Sequence, residues 1–578
     1  MTTAVVAKRA LPVLLGALIL LGCDGRGSDR RRARLDPGVA VVLPTQSATW
    51  VRNFNPFLPT QSRWPTQSGV YEPLLIYHTL EQRYVPWLAT SYRWKDGNRA
   101  LCMTIRRGVR FSDGTPLGPK DVVFTWELMK AHPALDSTGM AKRIESITSS
   151  GDEVTFLLDA PFVPGLYFIA QAPIVPEHVW RTVPDPVKFA NETPIGTGPF
   201  TEVRSFKTQV YELGRNPHYW QPGRPYLDAV RVPAFAGNEQ ASLAMIRGDI
   251  DWGAIFIPAI ERLFVAKDPA HRGYAFQQVE GTVMLYANTT RPPLDRAQVR
   301  KALSFGIDRE RIVSIAMQGS TRPADASGLS DFYRRFHDRA LVLAEGDWTR
   351  FDPASGQRLL DEQGIRRGQD GLRRLADGTL FELDVNCVVG WSDWIIAARL
   401  VVEGLQAMGV SAKLRTYDFG AWFSQLQRGE FELSLGWSSG GPSLYTFYGR
   451  QMSSGSVRPV GQAAEYNWQR FASPDADRLF AELVAVTDPA EELRISRELV
   501  RVFVQTAPAI PLFPGPAFGQ YNTRRIVGFP SAEDPYVALA PYKIPGFLLA
   551  LVELRPRGMP TRPDVLGVLS RREVGGQE

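Results

Sequence analysis

At 578 residues the chain is too long for one hydrophobic core, so two or three domains are expected. Hydrophobic content of 44%, charged content of 22% and aromatic content of 11% exclude a disordered or fibrous chain. Of the formal charge of +6, Lys8 and Arg9 supply two, and five arginines against three aspartates in residues 24–36 supply two more. The remaining +2 over residues 37–578 excludes a phosphate-binding surface, and with it nucleic acid as a partner.

Lys8 and Arg9 precede an apolar run from Ala10 to Gly22. Its 13 residues make a helix of about 20 Å, short of the roughly 30 Å hydrocarbon core, so the run reads as the apolar part of a signal peptide. It ends in Leu20-Leu21-Gly22-Cys23, which resembles the lipobox of bacterial lipoproteins and makes Cys23 the expected lipidated residue. Asp24 resembles an inner-membrane retention signal, which places the expected protein on the periplasmic face of that membrane or the outer surface of the cytoplasmic membrane. Residues 23–36 then form an Arg-rich tether. Beyond Cys23, Cys102 and Cys387 are expected to be separate buried thiols.

Val39–Leu43 reads as a strand entering an aromatic, Asn-rich loop with Trp50, Asn53 and Asn55. Arg93–Arg106 carries Asp96-Gly97 between two apolar runs, a hairpin signal. A Gly/Pro turn at 112–116 precedes a helix with Val122, Trp126 and Met129 on one face. Between Leu380 and Trp437, alternation at Phe381, Leu383 and Val385 gives a strand. A helix bearing Ile395, Ala398, Val402 and Leu405 follows, stopped by Gly409. Val410, Ala412 and Leu414 form a second strand, Asp418 caps a second helix ended by Gly429, and Phe431, Leu433 and Leu435 form a third strand. This β-α-β-α-β order predicts an α/β fold with a mostly parallel sheet, whose ligands bind beyond the carboxyl ends of the strands. The first strand empties into Trp391, Asp393 and Trp394, and the third into Trp437, Ser438, Ser439 and Tyr445. These clusters are candidate ligand contacts; packing between domains is the alternative role for any single ring. Late helices begin at Ser473-Pro474 and Asp488-Pro489.

Gly436-Trp437-Ser438-Ser439-Gly440 fits the G-x-S-x-G pattern of a hydrolase nucleophile. Gly441-Pro442 then stands where that elbow continues as a helix, and all six histidines precede Ser438, so a secreted serine hydrolase is the remote alternative. Gly196-Thr197-Gly198-Pro199 lacks the third glycine of a dinucleotide fingerprint, and neither a Walker A nor an H-E-x-x-H sequence occurs. No catalytic residue, cofactor or metal site is assigned. The chain reads as built to bind rather than to react.

Several segments resemble the family 5 extracellular solute-binding proteins, the receptors of bacterial ABC importers for peptides, nickel and oligosaccharides. They are Val70–Leu74 (VYEPL), Arg106–Val123, Gly196–Phe200 with Arg215–Trp220, Ala287–Arg309, and Ala507–Leu512. The resemblance implies a two-lobe periplasmic-binding-protein-like fold with a hinge and an extra subdomain on the first lobe. It also implies a non-enzymatic, monomeric receptor that encloses an extended solute and delivers it to a permease with its ATPase subunits. Lobe I is expected at 37–80, 193–290 and 510–555, its subdomain at 81–192, lobe II at 291–509, and a loose tail at 556–578. Peptide receptors of this family typically hold the α-amine with an Asp in the loop after the Gly-Trp strand. Here Trp437–Leu444 contains no acid, and Gly390–Trp394 with Pro442–Tyr445 is similar to the oligosaccharide-binding branch. A short oligosaccharide is therefore favoured slightly over an oligopeptide, with Asp393 the candidate acid for an amine, and the scattered histidines disfavour nickel.

Overall fold

Ten strands build the large sheet: β1 (Val39–Leu43), β2 (Phe200–Lys207), β3 (Val210–Arg215), β4 (Ala229–Pro233), β5 (Trp252–Gly253), β6 (Arg272–Ala287), β7 (Glu382–Val388), β8 (Ser411–Tyr417), β9 (Leu433–Trp437) and β10 (Ile510–Asn522). Their spatial order is β8-β7-β9-β6-β10-β5-β1-β4-β3-β2. The computed structural model describes residues 36–561, apart from 59–65 and 67–68. The expected leader, Cys23, the tether through residue 35 and the tail from 562 lie outside the described residues. Among the described residues, no helix is long and apolar enough to cross a membrane.

β6 and β10 pair antiparallel from Arg272↔Asn522 to Leu285↔Ile510. At one end β10 also pairs with β5 (Trp252↔Tyr521), and at the other β6 pairs with β9 (Val283↔Trp437). These two long strands thus run from one lobe into the other. Their ladder breaks midway: position 278 faces Pro516 and Thr282 faces Pro514, so Val279, Glu280 and Gly281 stand opposite Gly515 alone. A bulge of this kind loosens the ladder locally, bends the strand and re-aims its side chains.

Each side of the bulge has its own apolar core. Lobe I buries Ala40, Val42, Leu213, Val230, Trp252 and Leu539 together. Lobe II buries Met284, Leu285, Leu303, Val385, Leu433, Phe503 and Leu512 together. The boundary expected at 290/291 and 509/510 therefore moves to the bulge at 279–281 and to Gly515, because the ends of β6 and β10 pack into the lobe II core. Residues 89–158 add a four-stranded antiparallel sheet, ordered Ala89–Lys95, Ala100–Ile105, Glu153–Leu158, Ile144–Ser150. Asp96 and Gly97 at its first turn both take positive φ, 52° and 58°, as a tight hairpin of right-twisted strands requires. Helix α1 (Pro119–Ala131) buries Val122, Trp126 and Met129, and Leu101, Trp126 and Phe156 merge with the lobe I core.

In lobe II the expected β-α-β-α-β unit is present. β7 runs parallel to β8 and to β9, with helices α2 (Ser392–Ala407) and α3 (Phe419–Arg428) as the crossovers. Asp418 caps α3 by accepting from the Ala421 N–H, and Gly429 ends it at φ 69°. Helices α4 (Leu444–Met452), α5 (Pro474–Leu483) and α6 (Pro489–Thr506) follow, the last two capped by Ser473 and Asp488. One correction concerns the C-terminal end, while the two thiols stand as expected. The tail expected from residue 556 is ordered at its start, since Arg555–Pro556 pairs with Ile526–Val527 and Arg557 Nε donates to the Thr523 carbonyl at 2.6 Å. Cys102 and Cys387 are both free and buried, one in the subdomain sheet and one in lobe II.

Candidate functional site

The carboxyl ends of β7 and β9 deliver Trp391, Trp394 and Trp437 into one group of rings. Their centroids lie 5.1 Å (Trp391–Trp394), 6.3 Å (Trp391–Trp437) and 6.2 Å (Trp394–Trp437) apart. The first turns of α3 add Phe419, Trp422 and Phe423, and Phe423 stacks on Trp437 at 5.7 Å and 15°. Trp468 closes the group edge-on to Trp437 at 5.8 Å. Trp394 and Trp422 are buried, whereas Trp391 and Trp437 stay half-exposed at the sheet edge. The parallel crossovers force this convergence, since both strand ends and the start of α3 lie on one edge of the sheet.

That edge meets lobe I. The Asn238 N–H, which follows β4, donates to the Gly390 carbonyl at 2.8 Å, and Asn238 Nδ2 donates to Asp393 Oδ1 at 2.9 Å. Gly237 and Gly390 touch so closely that a Cβ on Gly237 would lie 2.9 Å from the Gly390 Cα. Asp393 is buried, and burial pushes its carboxyl up to about 6 despite the hydrogen bond from Asn238. Tyr445 sits on α4, its ring edge-on to Phe162 of the subdomain at 5.2 Å. Beside it the Val163 N–H donates to the Val484 carbonyl at 2.9 Å, and the Arg450 guanidinium lies 5.3 Å over the Phe168 ring.

The serines and the first loop have local partners. Ser438 Oγ accepts from the Thr282 N–H at 2.9 Å and donates to the Ser439 carbonyl at 3.1 Å, so its hydroxyl is engaged with backbone. Ser439 itself is half-exposed. Trp50 is buried in the lobe I core, edge-on to Tyr211 at 5.6 Å. Asn53 Oδ1 accepts from the Asn55 N–H at 3.0 Å. Asn55 is fully buried, donating to the carbonyls of Pro186 (2.9 Å) and Phe189 (3.0 Å) and accepting from the Phe57 N–H. Trp50 and Asn55, expected as ligand contacts, thus brace the loop on lobe I; among the described residues Trp50 touches none of the tryptophan group.

Between the lobes lies a polar centre that the sequence reading missed. Glu280, on the bulge of β6, is only 8% exposed and pairs with Lys543 Nζ at 3.3 Å. It lies directly against the Trp437 loop, for a Cβ on Gly440 would meet its Cγ at 2.3 Å. Burial, and after it the Glu280 charge, raises the phenols of Tyr167, Tyr333 and Tyr542 above the ordinary tyrosine range; Tyr77 follows the same pattern. Tyr77 and Tyr167 come from lobe I and its subdomain and touch edge-on at 5.8 Å, while the Tyr333 hydroxyl donates to the Gly441 carbonyl at 2.9 Å in lobe II. The sequence signal was a charged residue followed by glycine inside a long apolar strand.

Comparison with known proteins agrees with this architecture. The sequence model of bacterial extracellular solute-binding proteins, family 5 Middle, matches residues 83–458. Protein XP55 of Streptomyces lividans is 31% identical over 315 residues, 53% of this chain and 54% of that protein, so the match spans about half of the relative's length. A Thermotoga maritima periplasmic oligopeptide-binding protein of an ABC transporter, solved with mannohexaose bound, superposes at a TM-score of 0.82 with 23% identity, covering 90% of this chain and 99% of that one. The Bacillus subtilis oligopeptide-binding protein AppA, solved with a nonapeptide, gives 0.75 with 20% identity, covering 90% and 98%. With a match across most of its length and two lobes hinged on shared strands, the chain belongs to the bacterial extracellular solute-binding proteins of family 5.

Proposed function

We propose that this chain captures a short oligosaccharide between its lobes and hands it to an ABC permease, working as a lipid-anchored receptor held through Cys23. The observation that carries the sugar reading is the tryptophan group at the lobe II edge. Trp391 and Trp437 offer flat apolar faces there. The loop from Trp437 to Tyr445 has no carboxylate, and the nearby Asp393 is already engaged with Asn238. Ring faces pack against the C–H faces of sugars, and the surrounding hydroxyl and amide groups pair with sugar hydroxyls. The mannohexaose held by the Thermotoga maritima protein supports the same reading. A peptide is the second reading, supported by the nonapeptide in AppA. The Leu-Leu-Gly-Cys sequence supports the anchor.

The test is a thermal melt of residues 37–578 with mannohexaose and with trialanine. Ligand at 100 times its Kd stabilises by about 2.7 kcal/mol, a readable shift. A shift with mannohexaose alone is expected, and a shift with trialanine alone would replace the sugar reading by the peptide one. Trp391→Ala is expected to weaken mannohexaose binding at least tenfold; unchanged affinity would remove Trp391 from the site.

A further inference from the structure

The bulge in β6 gathers polar groups that the packing of the two lobes does not satisfy. Gln277 accepts from the Leu539 N–H through Oε1 at 2.7 Å, but its Nε2 is buried with no hydrogen-bond partner among the described residues. Thr282 is 1% exposed, and its hydroxyl likewise has no partner there, although its backbone N–H is taken by Ser438. Between them in sequence stands Glu280, paired with Lys543 and packed against Gly440. Buried donors and acceptors in native proteins are almost always paired, so an unpaired set beside a buried carboxylate at an inter-lobe seam points to a ligand.

The charge balance decides which kind. Glu280 is already paired with Lys543, whose Nζ lies 3.3 Å from its carboxylate, so its charge is offset before any solute arrives. An ammonium would have to compete with Lys543 for the one carboxylate. A neutral polyol meets no such cost: hydroxyls donate to the carboxylate's remaining lone pairs and to Thr282 Oγ1, and accept from Gln277 Nε2.

We propose that Glu280 is a specificity-determining residue for the solute, accepting hydrogen bonds from sugar hydroxyls at the hinge bulge, with Thr282 and Gln277 as its neighbours in recognition. This rests on the oligosaccharide reading above. Glu280 lies on the strand that both lobes share and against Gly440 of lobe II, with Lys543 on the lobe I side. Solute held there bridges the hinge and both lobes at once, so its binding favours the closed arrangement.

The test is calorimetric titration of wild type, Glu280→Gln and Thr282→Val with mannohexaose and, separately, with trialanine. Wild type is expected to bind mannohexaose, Glu280→Gln at least tenfold more weakly and Thr282→Val several-fold more weakly. Thr282→Val removes an unpaired buried hydroxyl, so its unliganded melting temperature is expected to hold or rise, which separates lost recognition from lost folding. It carries the test if Glu280→Gln does not fold. Equal mannohexaose affinity in wild type and the folded variants would overturn the role of the bulge and leave the receptor reading standing. Binding of trialanine alone, lost in Glu280→Gln, would overturn the sugar reading and show that Glu280 reads an ammonium.

Discussion

Residue chemistry in this protein divides between groups that hold the scaffold and groups that face the seam between the lobes. Glu72 belongs to the first kind. It is fully buried and accepts from Trp87 Nε1 (2.7 Å), the Tyr219 hydroxyl (3.0 Å) and Trp220 Nε1 (3.1 Å), tying segments of lobe I together. Burial outweighs these donors and pushes its carboxyl from 4.5 up to about 7. A raised acid binds its proton more tightly in the folded chain, so the folded state loses stability as pH rises from about 4.5 to 7. The shift corresponds to roughly 3 kcal/mol across that window. Glu72→Gln is expected to flatten the fall in melting temperature between pH 5 and pH 8 relative to wild type; parallel profiles would show that Glu72 does not titrate there. The sequence marks Glu72 within its VYEPL motif and Asp393 beside two tryptophans, but which partners each acid meets was illegible. Asn238 lies 155 positions from Asp393, and no local pattern announces such a pairing.

At the scale of elements, local rules suffice for capped helices and tight turns. Asp418, Ser473 and Asp488 each accept from the backbone N–H three residues on, as their positions before an amphipathic run require. Asp418→Ala is expected to cost about 1 kcal/mol in chemical denaturation while leaving mannohexaose affinity unchanged. A loss of affinity would mean that the start of α3, which carries Phe419, Trp422 and Phe423, needs its cap to shape the tryptophan group. β6 escapes the same rules. Its alternation breaks at Glu280-Gly281, where the residues leave the ladder, and the break is explicable only beside Gly515 of β10, far away in sequence. The Trp50–Phe57 loop fails for the opposite reason. Its aromatic and amide residues suit a binding loop and a buried brace equally well, and the carbonyls of Pro186 and Phe189 decide for the brace at Asn55.

The whole molecule is a pair of lobes with separate cores, crossed by two strands and touching at their carboxyl edges. That contact is tightest at Gly237 and Gly390. Gly237 has extended backbone that any residue adopts, so a methyl there disturbs only the approach of the lobes. Gly237→Ala is expected to weaken mannohexaose binding about tenfold, and small-angle scattering of the saturated variant is expected to show a larger radius of gyration than liganded wild type. Equal radii and affinities would place functional closure elsewhere. The sequence by itself determined the α/β class, the parallel unit of lobe II, the helix caps and the gathering of tryptophans at one sheet edge, because those follow from short-range periodicity and from the handedness of crossovers. Tertiary structure alone decided that the hinge lies inside β6 and β10, that Asp393 faces Asn238, and that Glu280 stands at the centre of the seam. Each of those depends on a pairing between distant segments, whose register is set by the packing of two cores and leaves no trace in local sequence.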